Sequence, residues 1–267
     1  MDKPIVFFDS GAGGLKYLEA ARRMLPAERF AYLADRAGFP YGIRSRSSVV
    51  ELSVRAIRAI VDKTDPKAVV VACNTATELA IDEIRAAIPG IPVVGTVPAI
   101  RAAAGIPGVK RIGVIATPGA VAAEYLWRLA KEHAAHCTIV AEADGPLVDF
   151  VEHRYIQASR AERLEAVRPG LGKLLASGAD AIVLGCTHFL HLSSEFEEIA
   201  GPTIPVVDSR IGVASRLKHV LGQDLAVGSP GEREISDQLY VTGEGEMCPA
   251  LSDFARLFDL VPMGCLS

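Results

Sequence analysis

Short apolar runs alternate along the chain with stretches whose apolar residues recur at helical spacing. The runs are Ile5-Val6-Phe7-Phe8, Ala68 to Ala72, Ile112 to Ala116, Ala181 to Leu184 and Pro205-Val206-Val207. Continuous apolar runs of this length suit strands buried on both faces, and their alternation with helices predicts parallel sheets covered by helices on both sides. Ser48 with Glu51 and Thr75 with Glu78 stand at capping-box spacing and predict two helix starts. After the first, Val50, Val54, Ile57 and Val61 mark one helical face. Leu239 to Thr242 and Ser252 to Leu260 read as a closing strand and helix.

The chain also echoes itself. Ala68-Val69-Val70-Val71-Ala72-Cys73-Asn74-Thr75 resembles Ala181-Ile182-Val183-Leu184-Gly185-Cys186-Thr187-His188, with Cys186 lying 113 positions after Cys73. Val6-Phe7-Phe8-Asp9-Ser10-Gly11 matches Val114-Ile115-Ala116-Thr117-Pro118-Gly119 more loosely, with Ile115 lying 107 positions after Phe8. Two similar offsets predict two related α/β halves, and the Gly- and Pro-rich stretch from Gly95 to Gly108 predicts the crossover between them.

Composition narrows the partners. The 267 residues suit one large domain or two small ones. With 28 Lys and Arg against 32 Asp and Glu, a net charge of −4, there is no basic stripe for nucleic acid or an anionic membrane surface. Every apolar run is broken well before the roughly 20 residues of a membrane-spanning helix. The apolar segment after Met1-Asp2-Lys3-Pro4 is too short for an export signal and is broken by Asp9, so a cytoplasmic location is expected. Five cysteines, odd in number and far apart, suit reduced thiols rather than a disulfide framework.

In parallel sheets, ligands gather beyond the carboxyl ends of the strands. The residues expected there are Asp9-Ser10, Asp35, Cys73-Asn74-Thr75, Cys186-Thr187-His188 and Asp208-Ser209. Two of these ends present a cysteine among polar neighbours, where a lone cysteine would read as a small core residue. Gly11-Ala12-Gly13-Gly14 lacks both the dinucleotide pattern and the Gly-Lys-Ser/Thr ending of a phosphate loop, and it fits either close backbone approach to a small ligand or a tight turn. Cys186, His188 and His191 lack a fourth ligand, and His133, His136 and Cys137 fall near the end of a helical segment, so no metal is expected. Cys186 with His188 as base would serve acyl transfer but leaves Cys73 idle. Proton transfer uses both thiols: one removes a proton from one face of a stereocentre and the other returns one to the opposite face.

These segments resemble the cofactor-independent glutamate racemases of the aspartate/glutamate racemase superfamily. The resemblance rests on Phe8-Asp9-Ser10-Gly11-Ala12-Gly13-Gly14-Leu15, Pro40-Tyr41-Gly42, Ala72-Cys73-Asn74-Thr75-Ala76, Val97-Pro98-Ala99, Leu184-Gly185-Cys186-Thr187-His188, Val207-Asp208-Ser209 and Tyr240-Val241-Thr242-Gly243, which appear in the family order. It implies two pseudosymmetric three-layer α/β/α domains with mainly parallel sheets, residues 1–97 with 208–267 and residues 98–207, and an active site in the cleft between them. It implies Cys73 as the base toward D-glutamate and Cys186 toward L-glutamate, assisted by Asp9, His188 and Glu152. Asp9, Ser10, Tyr41, Gly42, Asn74, Thr75, Thr187 and His188 would hold the small-molecule substrate, glutamate. No cofactor, nucleic acid or membrane partner is implied, and the resemblance admits a homodimer without specifying its arrangement. The implied product, D-glutamate, would feed peptidoglycan.

The chain departs from the family pattern twice. Asp35-Arg36-Ala37-Gly38-Phe39 stands where Asp-Thr-Ala commonly precedes Pro-Tyr-Gly, and Phe189-Leu190 stands where Tyr-Pro often follows Cys-Thr-His. Both bear on substrate preference, which leaves aspartate or another small acid as an alternative. A carboxylate-binding protein without catalysis and a Cys-dependent hydrolase are further alternatives, against which the retention of both cysteines argues.

Overall fold

The computed structural model describes residues 3–225, 236–243 and 247–266. Met1 and Asp2, at the head of the segment read for an export signal, lie outside the described residues. The chain divides into two compact units, Met1–Thr96 with Arg210–Ser267, and Val97–Ser209.

The first unit begins with β1 (Ile5–Asp9), α1 (Leu15–Met24), β2 (Phe30–Ala34), a 3₁₀ turn (Tyr41–Ile43), α2 (Arg46–Thr64), β3 (Ala68–Val71), α3 (Asn74–Ala87) and β4 (Val93–Gly95). The second unit follows with α4 (Ile100–Ala104), β5 (Arg111–Ala116), α5 (Pro118–Ala122), α6 (Glu124–His133), β6 (Thr138–Ala143), α7 (Gly145–His153), α8 (Arg160–Ala176), β7 (Ala181–Leu184), a 3₁₀ segment (Thr187–Leu192), α9 (Ser193–Ala200) and β8 (Val206–Val207). The chain then returns to the first unit as α10 (Arg210–Leu221), β9 (Gln238–Thr242), α11 (Pro249–Leu257) and β10 (Val261–Leu266).

The described strand pairings are parallel. One sheet has the order β10-β9-β2-β1-β3-β4 and the other β6-β5-β7-β8. The second order repeats the β2-β1-β3-β4 part of the first. The registers repeat as well, since Phe8 pairs with Val71 in one sheet and Ile115 with Leu184 in the other. The two sequence offsets are therefore one structural equivalence, in which β1 corresponds to β5 and β3 to β7. The central strands β1, β3 and β7 are fully buried, as their unbroken apolar runs require.

Both helices with predicted starts begin earlier than their sequence signals. Ser45, not Ser48, caps α2, with its hydroxyl accepting from the Ser48 amide at 3.3 Å. Cys73 caps α3, which places Thr75 inside the first turn. The buried stripe of α2 runs through Val49, Ser53, Ala56, Ile57 and Ile60, while Val50, Val54 and Val61 pack at its margin. A capping box does form at Ser159 and Glu162, at the start of α8. No helix among the described residues is long and apolar enough to cross a membrane.

Candidate active site

In the first unit the sheet brings its chemistry to the carboxyl ends of β1, β2 and β3. The Ala72 amide donates to the Phe8 carbonyl at 2.7 Å, which carries the pairing of β3 with β1 up to Cys73. Cys73 is extended, 5% exposed, and accepts the Ala76 amide on its sulfur at 3.5 Å. A sulfur at a helix N-terminus meets amide donors and the positive end of the helix dipole, and both favour thiolate. Asn74 and Thr75 follow in the first turn, half-buried.

Asp9 ends β1 and is fully buried. Its Oδ1 accepts the Gly11 amide at 2.8 Å and is 3.5 Å from the Ser10 hydroxyl, itself buried. The Tyr32 hydroxyl donates to the Gly11 carbonyl at 2.8 Å and so holds the glycine loop from the neighbouring strand. That hydroxyl would lie 2.9 Å from a Cβ at position 14, a close approach that Gly14 permits.

Tyr41 and Gly42 form the 3₁₀ turn that follows a cis Phe39-Pro40 bond. The Tyr41 hydroxyl donates to Asp35 Oδ2 at 2.5 Å, and the Thr242 hydroxyl donates to the other carboxylate oxygen. Burial, then the Asp35 carboxylate, hold Tyr41 far above its ordinary pKa, so it remains a protonated donor. Tyr41 and Cys73 belong to the same buried cluster.

In the second unit the Gly185 amide donates to the Ile115 carbonyl at 2.8 Å, carrying β7 alongside β5 to Cys186. Cys186 is extended and 7% exposed, and the 3₁₀ segment starts immediately after it. Its sulfur lies 3.8 Å from His188 Nδ1, and His188 Nε2 lies 3.0 Å from Glu152 Oε2. The Thr187 hydroxyl is 3.4 Å from His188 Nδ1. Glu152 arrives from the buried face of α7, which Asp144 caps through the Leu147 amide. Burial works against a charged His188, but its partners Cys186 and Glu152 outweigh it and hold the imidazole well above its ordinary value. Thiol, imidazole and carboxylate thus form one buried line.

Of the residues singled out in the sequence, Asp9, Ser10, Tyr41, Gly42, Cys73, Asn74 and Thr75 lie in the first unit and Glu152, Cys186, Thr187 and His188 in the second, where Asp208 and Ser209 follow β8. Two partners, Tyr32 and Thr242, carry no such expectation, and a third, Asp35, is expected only as a strand end. Asp35 proves to be the acceptor of the Tyr41 hydroxyl, six residues away in the chain. Tyr32 and Thr242 act through single hydroxyls that no spacing advertises. The two departures from the family pattern also find their places. The Arg36 guanidinium lies over the Phe39 ring, 5.2 Å from its centroid. Phe189 and Leu190 are core residues, with the Phe189 and Phe196 rings 6.3 Å apart. His136 and Cys137 bond to the carbonyls of Ala104 and Val109. Among the described residues, no group of three His, Cys, Asp or Glu side chains is gathered to hold a metal ion.

Comparison with known proteins follows the same lines. Residues 14–214 match the Asp/Glu/Hydantoin racemase family. The glutamate racemase of Shewanella sp. (strain MR-4) is 37% identical over 225 residues, 84% of this chain and 81% of the relative. That of Shewanella woodyi is 36% identical over 250 residues, 92% of each. The crystal structure of Escherichia coli glutamate racemase in complex with L-glutamate and the activator UDP-MurNAc-Ala superposes with a TM-score of 0.87 at 28% identity, covering 99% of this chain and 98% of that one. Repeated strand order, a thiol at the matching end of each sheet and similarity over most of the length lead to one identification: the chain belongs to the Asp/Glu/Hydantoin racemase family and is an amino-acid racemase.

Proposed function

We propose that the protein interconverts L- and D-glutamate by proton transfer at the α-carbon between Cys73 and Cys186, without a cofactor. The observation that carries this reading is the placement of one buried thiol after β3 and another after β7, equivalent strands of two sheets with one topology. Inversion of a stereocentre needs an acid and a base of similar strength on opposite faces, and two thiols meet that need. One enters each turnover as thiolate and the other as thiol.

The surrounding groups have distinct tasks. Asp9 meets the substrate ammonium and supports Cys73, while His188, held by Glu152, supports Cys186. Ser10, Asn74, Thr75 and Thr187 offer hydroxyl and amide donors suited to carboxylates, with Tyr41 and Gly42 completing the binding set. Glutamate is the substrate named for the relatives above, and the Pro40-Tyr41-Gly42 and Cys186-Thr187-His188 motifs support it here. The physiological role inferred is supply of D-glutamate for peptidoglycan in the cytoplasm.

The test is to incubate the purified protein, dialysed against chelator and kept reduced, with L-glutamate and follow optical rotation. Decay to zero rotation is the expected result. An unchanged signal, or activity that returns only with added metal or pyridoxal phosphate, overturns the reading. L-aspartate is the comparison substrate, and an equal specificity constant for it would overturn the assignment to glutamate. Growth of a bacterial D-glutamate auxotroph on expression of the protein tests the physiological role.

A further inference from the structure

Thr77 is a buried hydroxyl that the chemistry above does not use. It lies in the first turn of α3 and is 6% exposed. Its Oγ1 donates to the carbonyl of Val71, the last residue of β3, at 3.0 Å. The same oxygen accepts the Thr96 amide at 3.0 Å, just beyond the end of β4. A helical threonine ordinarily turns its hydroxyl to a carbonyl three or four residues back. Here it reaches six residues back, past the start of its own helix, while the Thr77 amide bonds the Cys73 carbonyl at 2.9 Å.

One side chain therefore spans the segment that contains Cys73. Ala72 is fixed by Phe8, Val71 is fixed by Thr77 in front of the thiol, and α3 is fixed behind it. Gly95 makes room for this, because a Cβ there would lie 2.6 Å from Thr77 Cγ2. The Thr96 hydroxyl, 3.4 Å from that of Thr77, is itself almost fully buried.

We propose that Thr77 is a positioning residue for Cys73, setting the direction of the thiol by tying the end of β3, the first turn of α3 and the end of β4 to one hydroxyl. The proposal rests on the reading of Cys73 as the group that takes the α-proton from the D enantiomer. Reacting groups displaced by about 1 Å lose on the order of a hundredfold in rate, so a single misplaced backbone segment is enough to be measured.

The test separates the two thiols by a reaction that needs only one of them. With 3-chloroglutamate, a thiolate removes the α-proton, chloride leaves the β-carbon with the C–Cl electron pair, and the enamine is hydrolysed to 2-oxoglutarate and ammonium. The D-configured substrate reports Cys73 and the L-configured substrate reports Cys186. Thr77→Val, which keeps the shape and loses the hydroxyl, is expected to slow elimination from the D-configured substrate about tenfold or more, with a change within about twofold for the L-configured one. Thr77→Ser is expected to restore the rate. Gly95→Ala, which keeps the hydroxyl but crowds it, provides a second variant with the same one-sided loss expected. Equal losses on both substrates, or no loss on either, would overturn the positioning role. Elimination from the D-configured substrate that survives in Cys73→Ala would instead overturn the assignment of Cys73, whatever Thr77→Val does.

Discussion

A buried imidazole ordinarily gives up its proton, because burial penalises the cation. His188 is held the other way by Cys186 and Glu152, so the imidazolium persists to higher pH than in the unfolded chain. The stabilisation from this pair is fully present below the ordinary imidazole value of about 6.5 and is lost as pH rises through the raised folded value. Glu152→Gln keeps the shape but removes the carboxylate charge. It is expected to lower the racemisation rate and to move the alkaline limb of its pH profile to lower pH, as read from kcat against pH. Tyr32→Phe tests the glycine loop. Losing the bond to the Gly11 carbonyl is expected to cost about 1 kcal/mol in urea unfolding and to raise KM for glutamate severalfold. At this scale the sequence exposed the thiols and Asp9, since residues at strand ends can be read from strand patterns. It hid Tyr32, Thr242 and the pairing of Asp35 with Tyr41, which arise from neighbours brought together only by folding.

Among the elements, strands were legible when their side chains are β-branched and enclosed. β2, Phe-Ala-Tyr-Leu-Ala, is fully buried but carries no β-branched residue, and β4 has only three residues. β6 and β10 have exposed or half-exposed residues, and β10 also contains Pro262 and Gly264, features that weaken a strand signal. Cys73 caps α3 with a sulfur in place of the usual oxygen acceptor, which no capping pattern in the sequence signals. A tertiary ion pair helps tie the returning C-terminal segment to the first unit. Arg22 from α1 binds Asp237 at 2.8 Å and the Phe258 carbonyl at 2.9 Å, while Asp237 caps the Phe30 amide at the start of β2. With the Asp237 side chain 4% exposed, Arg22→Ala takes the Arg22 cation away from a buried carboxylate. A loss of about 2–4 kcal/mol in urea unfolding is expected, with the midpoint falling and the m-value little changed.

For the molecule as a whole, the repeated topology makes a prediction about isotope flow. If two different thiols handle the α-proton, product formed early in deuterated water should carry deuterium while unreacted substrate carries little. Early labelling of both pools would mean a single exchanging base. Enantiomers have equal free energies, so any variant must change kcat/KM equally in both directions; a mass-spectrometric assay run from each enantiomer checks this together with the label. The two halves share a scaffold, and among the contacts of the two sulfurs are a backbone amide at Cys73 and a titratable imidazole at Cys186. An amide steadies a thiolate by hydrogen bonding, and an imidazolium backed by a carboxylate steadies one by charge as well. A catalyst that has just converted one enantiomer is left loaded for the reverse run, with its proton on the wrong sulfur. On the two-thiol reading, both sulfurs must exchange their protons before it can repeat the same direction.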